Sequence, residues 1–553
     1  MDNLRFLLFV ALASLSILIW QAWEQDYGPK PGITAEQHIE DSPVVGGQAD
    51  LPESPALLNG SGATSSSKPV QQTGFDERKK IRVITDVLRV EIDSLGGNVV
   101  VADLLQYPEN KDNPEKSIRL FDDNPDRLYF SQSGLITGEK SAPDHSASWN
   151  IAEDAYVLRD NQDSFEVPLT WMNNDGVTVT KVYTFRRGSY LIEQKLTIKN
   201  DSSAAFLARQ YAQLQRKEFK AEENDSGFIR TYTGAVTFNE LDKYQKIDFD
   251  DMGSADLSLD VEGGWSAYIQ HYFLSAWVPP SNETNHFYTK SLPDQRYVMG
   301  SYSAQFSVEP GQEKTVQAKL VVGPKVQRML ESIAPELDLT VDYGNLTVIA
   351  KPIFWLLEKI HSYLGNWGWS IIGVTLVIKA LFFKLSETSY RSMARMRKLT
   401  PKLKAHRERF ADDKKKMNEE IMALYKREKV NPLGGCFPIL VQIPVFISLY
   451  WVIIETVELR QAPFVLWLND LSTKDPFFVL PILMGITMFV QQRLNPTPVD
   501  PVQEKVMKWF PFMFTVFFLY FPSGLVLYWV VNNTLSIIQQ AYITKQIERS
   551  DLA

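Results

Sequence analysis

The stretch Ser370-Ile371-Ile372-Gly373-Val374-Thr375-Leu376-Val377-Ile378-Lys379-Ala380-Leu381-Phe382-Phe383 decides the fold class, because it is an apolar helix-former interrupted by a single cation. It ends a run from Ile353 to Phe383 whose first part is amphipathic, with Glu358, Lys359 and His361. Such a run is long enough to span a hydrocarbon core of roughly 30 Å. The segment that follows it, 384–432, holds 15 Lys+Arg against 7 Asp+Glu. Further apolar runs lie at Cys436 to Ile454, Pro476 to Val490, Trp509 to Phe521, and from Gly524 through Val531 to Ile538. Short loops enriched in Lys and Arg stay in the cytoplasm, so 384–432 is placed there and the remaining topology follows by alternation.

Upstream, Leu4 to Trp20 is about 17 apolar residues, at the short end of a span. No small-residue cleavage site follows it, and Trp20 and Trp23 form an interfacial belt, so 1–23 reads as an uncleaved anchor. Residues 24–80 are rich in Pro, Gly, Ser and Ala without hydrophobic period, the composition of a flexible tether. From about Arg82 to Val322 the pattern becomes alternating, as in Val177-Thr178-Val179-Thr180-Lys181-Val182-Tyr183, with turn signals at Gly96-Gly97 and Asn173-Asn174-Asp175-Gly176. Period two with β-branched and aromatic residues predicts antiparallel strands and a large β-sandwich over 81–340. The expected architecture is six spans with both termini in the cytoplasm, the β domain on the far side, and a five-span core at 341–553.

Averages conceal this division. The mean hydropathy of -0.17 and the 22% charged content resemble those of a soluble protein. Residues 24–350, however, hold 31 Lys+Arg against 49 Asp+Glu, a net of -18, whereas 351–553 hold 25 against 16, a net of +9. The lone Cys436 excludes an internal disulfide framework.

Lys379 is the first candidate functional residue. An ammonium at the centre of a membrane helix costs roughly 2.5–3.5 kcal/mol on insertion scales, which favours a bundle interior or wet cavity around it. The competing reading is snorkelling, since Lys384 marks a boundary five residues on, about 7–10 Å away along a helix. Thr375, four residues earlier, shares the Lys379 face, although a Thr in such a helix commonly bonds its own i-4 carbonyl. The run from Trp509 to Phe521 is about 20 Å of helix, short for a span, and breaks at Phe521-Pro522-Ser523-Gly524. A buried hairpin, a thin bilayer, or the broken helix of a transporter or channel would each account for it. In the basic segment, divided at Pro401 and Asp412-Asp413, Met393, Met396, Leu399 and Leu403 form one stripe and Met417, Ile421, Leu424 and Tyr425 another. They predict an antiparallel helical hairpin whose stripes form a mutual core or, alternatively, an adaptable apolar contact, and whose basic face is a topological signal, a lipid-headgroup contact or a landing site for an acidic partner such as ribosomal RNA.

Nucleotide, metal and nucleophile chemistry is not legible: GxxxxGK[ST], HExxH, GxSxG and CxxC are absent, and the six His are scattered. Neither a cofactor nor catalysis is expected. An envelope enzyme housed in the β domain is the third reading.

Asn431-Pro432-Leu433-Gly434-Gly435-Cys436-Phe437-Pro438, Glu458-Leu459-Arg460-Gln461-Ala462-Pro463-Phe464, Leu480-Pro481-Ile482-Leu483-Met484-Gly485 and Phe521-Pro522-Ser523-Gly524-Leu525-Val526-Leu527-Tyr528 resemble the YidC/Oxa membrane protein insertases. The first anchor and large β domain resemble the Gram-negative type. The resemblance covers 341–553 densely and the remainder by architecture. It implies a polytopic α-helical membrane protein with a five-helix insertase core and a cytoplasmic hairpin, plus an all-β, mutarotase-like supersandwich in the periplasm. It also implies a hydrophilic groove open to cytoplasm and lipid, with Lys379 at the family's groove cation (usually Arg), Thr375 at a groove-lining position, and Tyr528 and Trp529 at the groove aromatics. The implied activity is ATP-independent insertion and folding of nascent membrane proteins in the bacterial inner membrane, alone or with the Sec translocon. Ribosome and targeting receptor would meet the cytoplasmic loops, without recognition of a specific nucleic-acid sequence.

Overall fold

A computed structural model describes residues 79–138, 142–218, 231–410, 413–428, 437–495 and 501–550. The expected anchor, nearly all of the tether, and Asn431 to Cys436 lie outside the described residues. The chain divides between Val341 and Asp342 into two compact units.

The first unit is built of strands in an 11-stranded and a 9-stranded sheet. Alternation positions its core: in Val177–Arg186 the side chains of Val177, Val179, Lys181 and Tyr183 are buried. The same period thus carries a lysine inward between valines and a tyrosine. The two sheets are joined by polar bridges as well as by apolar packing. Lys181 Nζ, from the smaller sheet, donates to Gly96 O at 2.9 Å and to Ser133 O at 2.8 Å, the latter in the larger sheet. Trp277 Nε1 likewise donates across to Gln213 O at 3.2 Å. Two short helices, α1 (Phe249–Ser254) and α2 (Gln327–Ile333), complete this unit.

The second unit is helical. The run from Ile353 to Phe383 is two helices, α3 (Thr347–Leu364) and α4 (Trp367–Leu381), rather than one. Gly365 takes the left-handed conformation, φ 64°, and returns its N–H to His361 O, closing α3. Asn366 then caps α4, its side-chain oxygen accepting from Trp369 N at 3.1 Å. Next come α5 (Phe383–Arg409) and α6 (Lys414–Arg427). Pro401 lies inside α5 and does not end it, contrary to the sequence reading. The proline costs one backbone bond, but Leu399 and Leu403 on either side are buried together with Leu424, and this packing carries the helix through. The actual division follows at Asp413, whose carboxylate caps α6 by accepting from Lys416 N at 3.0 Å.

The remaining helices are α7 (Phe437–Glu455), α8 (Val479–Leu494), α9 (Pro501–Phe518) and α10 (Ser523–Ser550). The last two are longer than their apolar runs. The polar first turns of α9 and the polar final turns of α10 are helical too, and α10 reaches 28 residues, roughly 42 Å. No single described helix is long and apolar enough to cross a membrane; α4 and α5 pass that test as a pair bent by 68°.

Candidate functional site

Helices α5, α7, α8, α9 and α10 line a half-open cavity of about 450 Å³ in the helical unit. Each helix contributes one phase of its surface. From α5 come Ser386, Ser389, Tyr390 and Met393, spaced three and four apart, and from α10 come Tyr528, Trp529, Asn532, Asn533 and Ser536. α7 supplies Gln442, Ile443 and Phe446, the end of α8 supplies Gln491, Gln492 and Asn495, and α9 supplies Met507 and Phe510. The wall is therefore rich in amides and hydroxyls, with methionine and aromatic side chains between them and no ionised side chain among its lining residues.

Lys379 stands beside this wall, in the last turn of α4 and only 9% exposed. Its Nζ donates to Ser536 Oγ at 2.8 Å, and Ser536 Oγ donates onward to Asn532 O at 2.7 Å. The serine hydroxyl is thereby oriented with its lone pair toward the ammonium. Among the described residues Lys379 has no carboxylate partner. Ser536 in turn lines the cavity, so the cation is coupled to the wall through one hydroxyl.

Tyr528 and Trp529 both line the cavity. The Tyr528 ring stacks on Phe446 with centroids 5.9 Å apart, and Trp529 meets the same ring edge-on at 4.9 Å. Trp529 Nε1 and Gln442 Nε2 are buried donors without a hydrogen-bond partner among the described residues. Such donors favour an acceptor that enters the cavity, since leaving each unmade costs about 1–3 kcal/mol.

Thr375 is placed differently. It is 1% exposed, its Oγ1 donates to Ile371 O at 2.7 Å, and it does not line the cavity. Its polar group is satisfied within its own helix, so its shared face with Lys379 yields no shared site. The hairpin stripe also divides. Leu399, Leu403 and Leu424 form the α5–α6 contact, with Met396, Ile421 and Tyr425 packed on it. Met393, a turn nearer α4, lines the cavity instead, and Met417 is half-buried outside that cluster. Lys402 Nζ to Glu428 Oε1 at 2.8 Å ties the two helices on their surface.

Sequence reasoning missed the amide and hydroxyl lining. The signal was present in α10, where Asn532, Asn533, Ser536, Gln539 and Gln540 recur at helical spacing within a run otherwise read for its hydrophobicity and its aromatic residues. This stripe also fixes α10 among its neighbours. Gln539 Nε2 donates to Phe383 O at 3.3 Å, Gln540 Nε2 to Asn495 Oδ1 at 3.1 Å, and Asn533 Nδ2 to Thr487 Oγ1 at 3.4 Å.

The break between α9 and α10 is clamped rather than loose. Ser523 N donates to Thr473 O at 2.6 Å, Ser523 Oγ to Asp470 O at 2.8 Å, and Gly524 N to Leu471 O at 2.9 Å. A Cβ at Gly524 would stand 3.1 Å from Leu471 O, so glycine permits the close approach of the loop.

Residues 80–356 match the family model described as the YidC periplasmic domain, and residues 359–550 that of the 60Kd inner membrane protein. The chain is 55% identical over 550 residues to the membrane protein insertase YidC of Methylococcus capsulatus, covering 100% of this chain and 99% of that one. It is 48% identical over 563 residues to the protein of the same name from Thioalkalivibrio sulfidiphilus, again over 100% and 99% of the two chains. Among solved structures, an active YidC insertase with its first transmembrane domain resolved aligns at a TM-score of 0.37 and 16% identity, covering 83% of this chain and 92% of that one.

Proposed function

This chain belongs to the YidC family of membrane protein insertases, and from that premise we propose that it works through the cavity beside Lys379, which receives the polar segment of a nascent membrane protein. The observation that carries this reading is the Lys379–Ser536 pair: a cation with no carboxylate partner among the described residues, held against an amide-lined wall. An acidic segment in transit needs a counter-charge and hydrogen-bond donors to lower its desolvation cost. Lys379 supplies the charge, and Gln442 and Trp529 supply unpaired donors. The substrate's apolar segment then partitions into lipid, a step driven by burial and requiring no nucleotide.

The membrane placement proposed with it has six spans, both termini and segment 384–432 in the cytoplasm, and the β domain in the periplasm. The basic α5–α6 hairpin is the docking element for ribosome or targeting receptor, and the Sec translocon is the partner for longer substrates. A transporter or channel acting through a mobile α9–α10 break is disfavoured by the clamping of Ser523 and Gly524. The test is insertion of a short, acidic-tailed single-span substrate by Lys379→Ala and Lys379→Arg. Arg should be tolerated and Ala should lower insertion several-fold; undiminished insertion by the Ala variant would remove the charge from the mechanism.

A further inference from the structure

We propose that the loop between α7 and α8 is a bilayer wedge, holding Leu466 and Phe477 in the boundary between headgroups and acyl chains of the leaflet at that end of the helical unit. The proposal rests on the membrane placement above.

Three non-glycine residues of this loop have positive φ: Gln461 at 57°, Leu466 at 56° and Phe478 at 56°. For bulky side chains this conformation costs about 1–2 kcal/mol each and persists only where the surroundings over-determine it. Here they do. Asp475, 1% exposed, accepts from Trp467 Nε1 and Phe477 N, both at 3.0 Å, and from Leu480 N at 2.7 Å. Asp470 Oδ1 accepts from Gln461 N at 3.0 Å and Ser472 N at 2.9 Å. Asn366 Nδ2 reaches both Pro463 O and Phe464 O at 3.2 Å. Phe464 packs so tightly on Gly368 that a Cβ there would collide with its ring.

A framework this well bonded ends in exposed apolar tips. Leu466 is 82% exposed and Phe477 67%. Burial does not account for holding Leu466 outward at a conformational cost, nor for turning Phe477 outward next to the strained Phe478; contact with an apolar medium does. That medium is identified by continuity and by charge. Phe478, Ile482, Ile486 and Val490 form one exposed stripe at helical spacing along α8, the face that meets acyl chains in a membrane, and the tips stand at its end. Between 461 and 478 the charged residues are Asp470, Lys474 and Asp475. Both acids are bonded inward, which leaves the exposed Lys474 to face anionic headgroups. Trp467, its N–H satisfied by Asp475, is the residue type that settles at this depth.

The test uses the full chain with Cys436→Ser, carrying a spin label at single cysteines in place of Leu466, Phe477, Asn469 or Ile486, in vesicles of phosphatidylethanolamine and phosphatidylglycerol. Collisional relaxation by oxygen and by a water-soluble nickel chelate is compared. Leu466 and Phe477 should show an oxygen-to-nickel ratio several-fold above that of Asn469, the solvent-exposed reference in the same loop, and below that of Ile486. A ratio equal to that of Asn469, with Ile486 still in lipid, overturns the wedge alone. A water-exposed Ile486 overturns the membrane placement itself. Shielding that disappears as protein is diluted in lipid assigns the tips to a second copy and also overturns the proposal.

Discussion

Lys379 Nζ and Ser536 Oγ lie 2.8 Å apart although 157 positions separate them in the chain, and this hydrogen bond joins the end of α4 to the polar stripe of α10. The ammonium is held at the cavity wall by a neutral acceptor that is itself oriented by Asn532 O. A carboxylate in that position would neutralise the cation; a serine holds it in place and leaves its charge available to an incoming acid.

Ser536→Ala should therefore destabilise the helical unit by about 1–3 kcal/mol, the usual cost of removing a hydrogen bond to a charged group. Combined with Lys379→Met, it should cost less than the two single changes added together, because the two groups act as one unit. Thermal unfolding in detergent of the two single variants and the double variant measures this. Strict additivity would show that the two side chains do not support each other.

A photocrosslinker at Trp529 or Asn532 should capture a stalled nascent chain, whereas one at Thr375 should capture it weakly. The first two line the cavity, while Thr375 is 1% exposed and bonded to Ile371 O. Equal capture from all three positions would mean that α4 turns its buried face to the substrate during insertion.

Lys181 supplies a pH dependence for the β domain. Burial between the two sheets lowers its pKa from 10.5 to about 7, partly opposed by the charge of Asp144. Between those values the unfolded chain binds a proton that the folded domain does not, so stability rises with pH through this window and is lost as pH falls toward 7. The slope approaches ~1.4 kcal/mol per pH unit for a single site at most. Urea unfolding of the full chain at pH 7 and pH 9 should show this gain for the wild type and a flatter response for Lys181→Met. Tyr183, pushed up to about 12 by burial, does not interfere below pH 10. The Met variant should also be less stable at pH 9, because Gly96 O and Ser133 O lose their donor.

Cysteines at Lys415 and Asn174, both exposed, should react with a membrane-impermeant reagent from opposite sides of the membrane when Cys436 is replaced. Labelling of both from one side would refute the assignment of segment 384–432 to the cytoplasm.

The β-strand period, the apolar runs and the division of charge were legible in the chain because they are local: a period of two or of 3.6 residues is written in consecutive letters. Lys379 stood out for the same reason, as a cation in an apolar run. Helix ends were less legible. α9 and α10 extend into polar sequence, since a helix can leave its apolar stretch and continue, and Pro401 is carried inside α5 by its neighbours' packing. Some signals were there but needed phase to be read, such as the inward position of Lys181 and the polar stripe of α10.

By itself the sequence determined two units of different chemistry, one acidic and strand-forming, one apolar and basic, and placed a single cation within one apolar run of the second. Only the tertiary structure decided what that cation touches. It paired Lys379 with Ser536, closed Thr375 within its own helix, moved Met393 from the hairpin to the cavity, and fixed Leu466 and Phe477 outward on a loop pinned by Asp470 and Asp475. The physical reason is that these outcomes depend on which helix faces meet and on acceptors far away in the chain, whereas propensity and period fix only what each segment is.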